Sequence, residues 1–430
     1  MQKTVLTHAN LFDGGSGAEM RPDCAIYLEN ETITAVEPGD APRRPGYAEV
    51  NLGGHYVVPG LINLHAHLFG TGKPSKILGG GGPQKQVIAF VNSPLGHPVA
   101  DRLVAQNAKT ALLSGTTTVR AVGDFCYSDV RVRNRIRAKK LAGPRLLVSG
   151  PAITAVGGHG DDTFAVSSDN PEQLSAYVQK NYDSGVDWIK ICVTGGVMDA
   201  TKKGEPGIVK MTAAQTSAVC EKAHELGFRV ASHTESTDGI RVALENGVDT
   251  IEHGARLTPE LIEMFLQRGA SLTVTLSPAL PLAKLPPAVT QLNELCVYNS
   301  EVLLESMMEG AKQALAAGIP VGLGTDCSCP LVTPYNMWRE VWAFAKYCGV
   351  TNAEALHTAT LGNAEILDIS EETGSIEPGK CADLLVTAKN PLEDLRALAE
   401  PEMVFARGVC YDHPKVKKDA QIEEWLDSVF

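Results

Sequence analysis

The chain has 430 residues, of which 44% are hydrophobic and 20% are charged, a composition typical of globular proteins. Its formal net charge of −12 argues against nucleic acid as the main partner, because phosphate binding needs a basic surface. No run approaches roughly 18 apolar residues, and no amphipathic segment has a basic face, so neither a membrane span nor membrane docking is expected. The length suits one barrel of about 250 residues with an accessory domain.

The cysteines indicate a reducing compartment. There are ten of them, scattered along the chain except for the close pair Cys327 and Cys329. No CxxC repeat occurs, and the first residues, MQKTVLTHANLFDGG, lack the apolar core of a secretory signal peptide. We therefore expect free thiols in a cytoplasmic protein.

Both ends of the chain have the pattern of short β-strands. In the first 55 residues, alternating apolar positions are interrupted by Gly, Pro and Asn, which favours β-hairpins. The same pattern returns at residues 374–392 and 401–413. We therefore predict one small β-sandwich domain assembled from residues 1–56 and 371–430.

The middle of the chain, residues 57–370, alternates apolar runs with helical segments such as 212–227 and 237–247. Strand–helix alternation implies parallel pairing with right-handed crossovers. Eight apolar runs predict an α/β fold of the (β/α)8 TIM-barrel type, with its chemistry at the carboxyl ends of the strands. The predicted strands are residues 57–68, 116–124, 144–153, 187–196, 228–236, 249–254, 270–278 and 319–326.

Two connecting segments, residues 68–100 and 277–300, are expected to be loops that shape the pocket. The first contains LGGGGPQ at residues 78–84, which lacks the GK[ST] ending of a phosphate-binding loop. We interpret it as a mobile active-site loop and not as a nucleotide-binding loop.

Polar side chains that can bind metal stand at the ends of four predicted strands. His65 and His67 end the first strand as HAH, and residues two apart on a strand share a face. His233, His253 and Asp326 end the fifth, sixth and eighth strands. In a barrel these five side chains converge at one rim, and imidazole with carboxylate suits zinc and similar divalent ions.

Lys190 lies in the apolar run DWIKICVTGG, the fourth predicted strand. Burial disfavours an ammonium, and divalent cations beside it would repel it as well. A neutral lysine amine can react with CO2 to form a carbamate, whose two oxygens could bridge two metal ions. The alternative is an ordinary lysine that extends to the rim or forms an ion pair there.

Together these residues resemble the amidohydrolase superfamily in its binuclear branch with a carboxylated lysine. The resemblance covers nearly the whole chain. It rests on residues 57–67, Lys190, His233, residues 250–254, residues 324–326 and residues 374–386.

The resemblance implies two divalent metal ions per chain, with zinc as the expected metal. One ion would be held by His65, His67 and Asp326, and a more exposed ion by His233 and His253. Lys190, carboxylated by CO2, and a hydroxide would bridge them. The bridging hydroxide would attack the scissile carbonyl, while Asp326 takes its proton and passes it to the leaving amine.

Within the superfamily, the fourth strand and residues 150–161 resemble the imidazolonepropionase-like group. Its binuclear members include Xaa-Pro and Xaa-Arg dipeptidases and relatives that cleave N-acyl amino acids or ochratoxin. By this resemblance, His159 would donate a hydrogen bond to the scissile carbonyl oxygen.

One position departs from the dipeptidases, which carry a tyrosine two residues after the fifth-strand histidine, where it meets the substrate carboxylate. Here that position is Glu235. A carboxylate there would repel a substrate carboxylate and could favour a cationic or hydroxyl-bearing substrate instead. Arg120 and Arg256 are candidate partners for an anionic group.

Three functions remain open at this point. The first is a metal-dependent hydrolase that cleaves an amide or peptide bond in a dipeptide or an N-acyl amino acid. The second is a mononuclear deaminase or imidazolonepropionase, which would not need the bridging lysine. The third is a non-catalytic scaffold, which would be expected to lose ligands. We expect a small-molecule substrate, no nucleic acid or membrane partner, and a homo-oligomer.

Overall fold

The structure is a computed structural model, and it describes residues 3–74 and 82–430. The strands are β1 (Lys3–Leu11), β2 (Arg21–Glu29), β3 (Thr32–Pro38), β4 (Ala48–Asn51), β5 (Tyr56–Pro59), β6 (Leu61–Ala66), β7 (Thr116–Ala121), β8 (Arg145–Val148), β9 (Ala152–Thr154), β10 (Ala165–Ser167), β11 (Ile189–Cys192), β12 (Val230–Thr234), β13 (Thr250–His253), β14 (Ser271–Val274), β15 (Val321–Leu323), β16 (Leu384–Thr387), β17 (Met403–Ala406) and β18 (Val409–Asp412).

The α-helices fill most of the connections between the barrel strands. They are α1 (Gly82–Val91), α2 (His97–Leu113), α3 (Ser128–Arg137), α4 (Pro171–Asp183), α5 (Ala213–Glu225), α6 (Thr237–Glu245), α7 (Pro259–Arg268), α8 (Leu276–Lys284), α9 (Pro287–Thr290), α10 (Glu294–Ala317), α11 (Met337–Cys348), α12 (Asn352–His357), α13 (Asn363–Ile366) and α14 (Ala420–Asp427). Of the predicted glycine-rich loop, residues 78–81 lie outside the described residues, and α1 begins at Gly82.

The two chain ends form one sheet, as predicted. Its strand order is β18-β17-β16-β5-β1-β2-β3, and β4 also pairs with β1. Most of the pairs are antiparallel, and the apolar side chains of one face form a buried cluster. The cluster includes Leu6, Ile26, Val57, Leu384 and Phe405. The small domain is therefore built from strands at both termini.

The segment predicted as the first barrel strand, residues 57–68, is two strands in two different sheets. β5 pairs with β1 and β16, whereas β6 pairs with β7. Gly60 separates them, and a Cβ at this position would lie 2.2 Å from Thr117 Oγ1. Only glycine permits this close approach.

The barrel strands lie in two sheets, and all of the pairs in the larger sheet are parallel. One sheet has the order β10-β9-β11-β12-β13-β14-β15, and a second has the order β6-β7-β8. Ala66, the last residue of β6, pairs in parallel with Cys327 beyond β15, so the first and the last barrel strands meet. With helices between the strands, this architecture fits the predicted (β/α)8 barrel.

The third predicted barrel strand is also interrupted. β8 ends at Val148, and β9 begins at Ala152 after Gly150, whose φ of +62° lies in the left-handed region. The next residue, Pro151, has no amide hydrogen to donate to a ladder. A glycine–proline pair therefore divides one apolar run into two short strands.

The backbone divides into two compact units. One contains Met1–Asn63, Lys109–Val119 and Tyr335–Lys418, and the other contains Leu64–Ala108, Arg120–Pro334 and Asp419–Phe430. The domain boundaries at residues 56/57 and 370/371 stay a prediction. All of the candidate site residues lie in the second unit. Among the described residues, no helix is both long and apolar enough to cross a membrane.

Candidate active site and metal centre

Two histidines stand at the carboxyl end of the first barrel strand. His65 lies in β6, and His67 follows the last residue of that strand. Their Nε2 atoms lie 3.4 and 3.3 Å from Oδ1 of Asp326. The Asp326 amide donates to the His65 carbonyl at 2.8 Å, so backbone pairing brings these residues together. We call His65, His67 and Asp326 the His65 group.

A second cluster forms where β12 and β13 end. His233, Glu235 and His253 each offer a ligand atom within 4.8 Å of the others. His253 is shared between the clusters, because ligand atoms of His65, His253 and Asp326 also lie within 4.8 Å of one another. We call His233, Glu235 and His253 the His233 group. The fold thus brings together all of the predicted histidine and aspartate ligands.

Glu252 forms a hydrogen bond with His65, and Arg120 in turn pairs with Glu252. Nδ1 of His65 lies 2.7 Å from Glu252 Oε2, and Arg120 Nη2 donates to Glu252 Oε1 at 2.7 Å. Burial would raise the pKa of Glu252, but the Arg120 charge and the His65 hydrogen bond outweigh burial and lower it. Glu252 is therefore a carboxylate, so His65 donates from Nδ1 and presents its Nε2 lone pair to the site.

The other three histidines are held by uncharged groups. The contacts are His67 Nδ1 with Gly123 O (2.9 Å), His253 Nδ1 with Thr275 Oγ1 (2.8 Å) and His233 Nε2 with Gly195 O (3.3 Å). A carbonyl can only accept, so His67 donates from Nδ1 and His233 from Nε2. Nε2 of His253 is buried and makes no hydrogen bond to any described residue.

Backbone conformation is unusual at two of these residues. His253 has a φ of +69° and Asp326 a φ of +55°, both in the left-handed region that non-glycine residues seldom adopt. His253 is the last residue of β13, Asp326 lies three residues beyond the end of β15, and both side chains belong to the cluster. Left-handed residues of this kind concentrate at functional sites, where the surrounding structure holds them.

Lys190 lies in β11 and is 1% exposed. Its Nζ atom makes no hydrogen bond to any residue in the described part of the chain. Burial lowers the pKa of Lys190, although the Glu252 carboxylate partly opposes the shift. The fold therefore buries a lysine amine among the strands that carry the histidines, with no hydrogen-bond partner for it among the described residues.

The electrostatic environment keeps His233 and His253 neutral and Asp326 charged. Burial lowers the pKa of His233 and His253 well below 6.5, and neighbouring histidines lower it further. Burial would raise the pKa of Asp326, but His65 and His67 outweigh it and hold that pKa well below 3.8. Neutral imidazole and ionised carboxylate are the forms that bind metal.

His159 lies on the loop between β9 and β10, and its ring stacks on His233 with centroids 4.0 Å apart. Its Nδ1 lies 2.5 Å from Oδ2 of Asp199, which also accepts from the Gly196 amide. The His159 hydrogen bond outweighs the effect of burial and lowers the pKa of Asp199, so Asp199 accepts and Nδ1 donates. The Asp199 carboxylate therefore holds the imidazole through Nδ1 and leaves Nε2 as the ring nitrogen that does not bond to Asp199.

Glu235 follows β12, and its side chain is 9% exposed. Oε1 lies 3.9 Å from His233 Nε2, and Oε2 makes no hydrogen bond to a described residue. Burial raises the pKa of Glu235 well above its ordinary value, and the Asp326 and Asp199 carboxylates raise it further. The surroundings of Glu235 therefore disfavour a charge on its carboxyl group.

The two arginines considered as anion partners have other roles. Arg120 is fully buried and pairs with Glu252, while Arg256 lies at the surface and pairs with Glu309 at 2.6 Å.

Of the two cysteines near the site, Cys327 contacts the His67 carbonyl through Sγ at 3.2 Å. Cys329 lies equally close to Asp326 Oδ2, at 3.2 Å.

Sequence analysis missed two supporting residues, Asp199 and Glu252, and assigned Arg120 to a substrate anion instead of to Glu252. Arg120 and Glu252 are 132 residues apart, and His159 and Asp199 are 40 apart. No local pattern connects partners at such separations. The only available signal was the position of Glu252 beside a predicted ligand, and periodicity alone does not show where its side chain is directed.

The fold and the cluster define a barrel enzyme with a candidate metal centre at the carboxyl ends of its strands. Comparison with known proteins identifies the family. A model of the amidohydrolase family matches residues 56–410. This chain belongs to the amidohydrolase family and is a hydrolase that acts on C–N bonds. Members of the family generally use metal ions.

Three relatives extend the comparison. A prolidase-like protein of Bifidobacterium longum is 38% identical over all of this chain and 99% of its own, with a TM-score of 0.86. An Xaa-Pro dipeptidase is 27% identical over 96% of this chain and 100% of its own, with a TM-score of 0.82. Ochratoxinase of Aspergillus niger is 24% identical over 94% of this chain and 85% of its own.

Proposed function

We propose that this chain is a binuclear metal-dependent amidohydrolase. It would cleave an amide or peptide bond in a small substrate, a dipeptide or an N-acyl amino acid. His65, His67 and Asp326 would hold one metal ion, and His233 and His253 the other. Lys190, carboxylated by CO2, would join the two sites, and zinc is the expected metal.

The observation that carries this proposal is the buried Nζ of Lys190, which has no hydrogen-bond partner among the described residues. An ammonium in this position would lose its hydration with no hydrogen bond from a described residue to replace it, and the Glu252 charge offsets that cost only in part. A carbamate reverses the sign of the charge and supplies two metal-binding oxygens. The alternative, a mononuclear deaminase or imidazolonepropionase, gives Lys190 no role.

The residues present fit a metal centre. His253 Nε2 is a second buried nitrogen with no hydrogen-bond partner among the described residues, and neutral imidazole is a metal ligand. The Nε2 atoms of His65 and His67 converge on one oxygen of Asp326. Nitrogen and carboxylate donors in this combination suit zinc.

The proposed chemistry divides between the metal ions and the protein. Bound metal ions would supply Lewis acidity toward the substrate carbonyl and lower the pKa of a water molecule. Asp326, a carboxylate whose pKa is held low, would accept the proton of the attacking water and deliver it to the leaving amine nitrogen.

His159 would stabilise the developing negative charge on the carbonyl oxygen. Because Asp199 accepts the proton of Nδ1, the second nitrogen of His159 is the one available to the substrate. One such donor is worth about 2.7–4 kcal/mol in the transition state. The prolidase, dipeptidase and ochratoxinase relatives support amide hydrolysis by a barrel of this type.

Metal content tests the binuclear centre. Protein purified with added zinc or manganese should contain two metal ions per chain by elemental mass spectrometry, and one ion per chain would contradict the proposal. Lys190→Ala should lose both metal and activity, and added acetate or propionate should partly restore both. The matched control is Lys180→Ala on the exposed face of α4, which should change neither.

A substrate screen tests the reaction. A library of dipeptides and N-acyl amino acids, assayed by release of the amine product, should contain substrates for the two-metal form. Full metal content and full activity in Lys190→Ala would remove the carbamate from the proposal. Absence of turnover on every amide and ester would favour a non-catalytic scaffold.

We also propose that the enzyme works as a cytoplasmic homo-oligomer. The ten cysteines all lie in the described part of the chain and none of them forms a disulfide, which supports a reducing compartment. Light scattering of the purified protein would measure the number of chains in the particle.

A further inference from the structure

Three phenylalanine rings meet beside the candidate metal centre. Phe69 follows β6, Phe125 follows β7, and Phe164 lies on the loop between β9 and β10. Each of these segments leaves the carboxyl end of a barrel strand, where the site residues also stand. The centroid of the Phe69 ring lies 4.6 Å from that of Phe125 and 5.9 Å from that of Phe164. We call Phe69, Phe125 and Phe164 the aromatic wall.

The aromatic wall borders both sides of the proposed reaction site. The ring of Phe164 contacts the ring of His67, a proposed metal ligand, with centroids 4.9 Å apart. It also lies 5.7 Å from the ring of His159, which is proposed to bind the carbonyl oxygen of the substrate. A carbonyl group on which these two histidines act would therefore lie close to the Phe164 ring.

The backbone packs closely against the Phe164 ring and fixes its position. A Cβ on Gly123 would lie 2.8 Å from Phe164 Cδ2, and a Cβ on Gly160 would lie 2.7 Å from Phe164 Cζ. Both distances are shorter than the roughly 3.5–4.0 Å at which carbon atoms make favourable contact, so only glycine permits this approach. A surface that is already held in place loses little conformational freedom when it binds a ligand.

The rings of the aromatic wall are more exposed than phenylalanines of the core. Phe69, Phe125 and Phe164 are all partly exposed, whereas Phe265 and Phe344 are fully buried. Apolar surface in water is unfavourable, and a ligand that covers it gains free energy roughly in proportion to the area covered. Aromatic rings also favour the tilted and edge-to-face approach of another ring. The chemistry that such a surface recognises is therefore apolar, and aromatic above all.

Covalent geometry brings a substrate side chain within reach of this surface. Three single bonds of about 1.5 Å join the first ring carbon of a benzyl side chain to the carbonyl carbon or the amide nitrogen of its own residue. The substrate ring therefore begins within about 5 Å of the bond that is cleaved. Aromatic rings contact one another at centroid distances of about 4.5–7 Å, so a benzyl group beside that bond can pack on the aromatic wall.

We propose that the aromatic wall binds an aromatic or bulky apolar side chain next to the cleaved bond, so that the enzyme prefers phenylalanine-containing dipeptides or N-acylphenylalanines over their alanine counterparts. This inference rests on the proposed amide hydrolysis and narrows its substrate class. Burial of a phenylalanine side chain predicts a preference of about 10- to 100-fold in kcat/KM.

Matched substrates test the preference. The set consists of dialanine, phenylalanylalanine, alanylphenylalanine, N-acetylalanine and N-acetylphenylalanine, and release of the amine product is measured by chromatography. The wild type should prefer a phenylalanine substrate over its alanine counterpart by about 10- to 100-fold, and Phe164→Ala should lose most of that preference. Phe164→Leu keeps an apolar side chain and should retain part of it.

Phe228→Ala is the matched control for the loss of a phenyl ring. Phe228 is also partly exposed, and its ring pairs with that of Tyr182 at 5.9 Å. It precedes β12 and so stands at the amino end of a barrel strand, whereas the site lies at the carboxyl ends. This variant should keep the wild-type preference.

A binding measurement separates this inference from the proposed function. The probes are non-hydrolysable phosphinic analogues of dialanine with a benzyl or a methyl side chain at either residue, titrated calorimetrically into metal-loaded protein. Tighter binding of a benzyl probe to the wild type but not to Phe164→Ala supports the inference even if no amide is hydrolysed. Amide hydrolysis without a preference, or equal binding of the benzyl and methyl probes, overturns the inference and leaves the proposed function intact.

Metal content distinguishes substrate recognition from mere support of His67, because the Phe164 ring contacts that histidine. Phe164→Ala should keep the wild-type number of metal ions. If it loses metal, Phe125→Ala decides, since the Phe125 ring contacts Phe69 at the other end of the aromatic wall. This variant should weaken the preference by about 2- to 12-fold at unchanged metal content. An equal loss of turnover on every substrate in both variants would limit the aromatic wall to a structural role and overturn the inference.

Discussion

The His65 group and the His233 group are almost equally buried, but their histidines are held in different ways. His65 is 1% exposed and His253 is 2% exposed, so exposure does not separate the two groups. Nδ1 of His65 donates to a carboxylate, whereas Nδ1 of His253 contacts only a hydroxyl group. A hydrogen bond to a charged group is roughly twice as strong as a neutral one.

The carboxylates of the two groups also differ. Asp326 faces two histidines, and its pKa is held low, while Glu235 is near other carboxylates, and its pKa is raised. Burial alone therefore does not define a metal site. We expect the His65 group to hold its metal ion more tightly and the His233 group to leave more freedom for substrate.

The strongest test of this contrast is Asp326→Asn. If Asp326 is the proton acceptor, as proposed, the substitution should lower kcat by about 10²- to 10⁴-fold on every substrate, because general acid–base catalysis contributes that much. Metal content should fall less than turnover does. Steady-state kinetics and elemental analysis of the same preparation measure both.

The matched change in the other group is Glu235→Gln, which removes no group proposed for proton transfer and should lower turnover less than Asp326→Asn does. If Asp326→Asn and the wild type have equal rates, Asp326 has no part in proton transfer. If both variants lose turnover equally on every substrate, the two carboxylates do not have separate roles.

The next largest effect is expected from Glu252→Gln. The variant keeps the shape of the side chain but removes the charge that holds His65, and such changes commonly cost about 10- to 100-fold in metal affinity. Competition with a chelator should show that one of the two ions is released more readily. The carboxylate also neutralises Arg120, so the unfolding temperature of the metal-free protein must be compared in parallel.

Glu245→Gln serves as the control for the loss of one negative charge at a distance from the site. Unchanged release of both ions from Glu252→Gln would show that the Glu252 charge does not strengthen the His65 group. A lower unfolding temperature with unchanged metal affinity would limit Glu252 to a structural role.

Much of the fold was predictable because the barrel repeats one pattern of apolar runs and helices. The errors arose where a single residue interrupts an apolar run, as Gly60 and Gly150 do. Residues 277–300 were expected to be a loop, but α8, α9 and the start of α10 occupy most of them. Proline marks loops in most sequences, yet Pro281 lies inside α8.

The candidate site was predictable only in part. His65, His67 and Asp326 could be singled out because metal-binding residue types stand where barrel strands end. Arg120 and Glu252 could not be paired, since their contact depends on packing across the barrel and not on local sequence. The sequence also cannot show that Oε2 of Glu235 lies near Gly196, because loop geometry decides it.

The smallest effect is expected from a change in the uncharged hydrogen bond that holds His253 in the His233 group. Thr275→Val removes the hydroxyl that contacts His253 Nδ1 at 2.8 Å and preserves the volume and branching of the side chain. A neutral hydrogen bond contributes about 0.5–1.5 kcal/mol, so metal affinity should fall by about 2- to 12-fold, less than in Glu252→Gln. The same chelator competition measures both variants. A larger loss in Thr275→Val than in Glu252→Gln would reverse the comparison, because the hydroxyl would then hold its histidine more effectively than the carboxylate does.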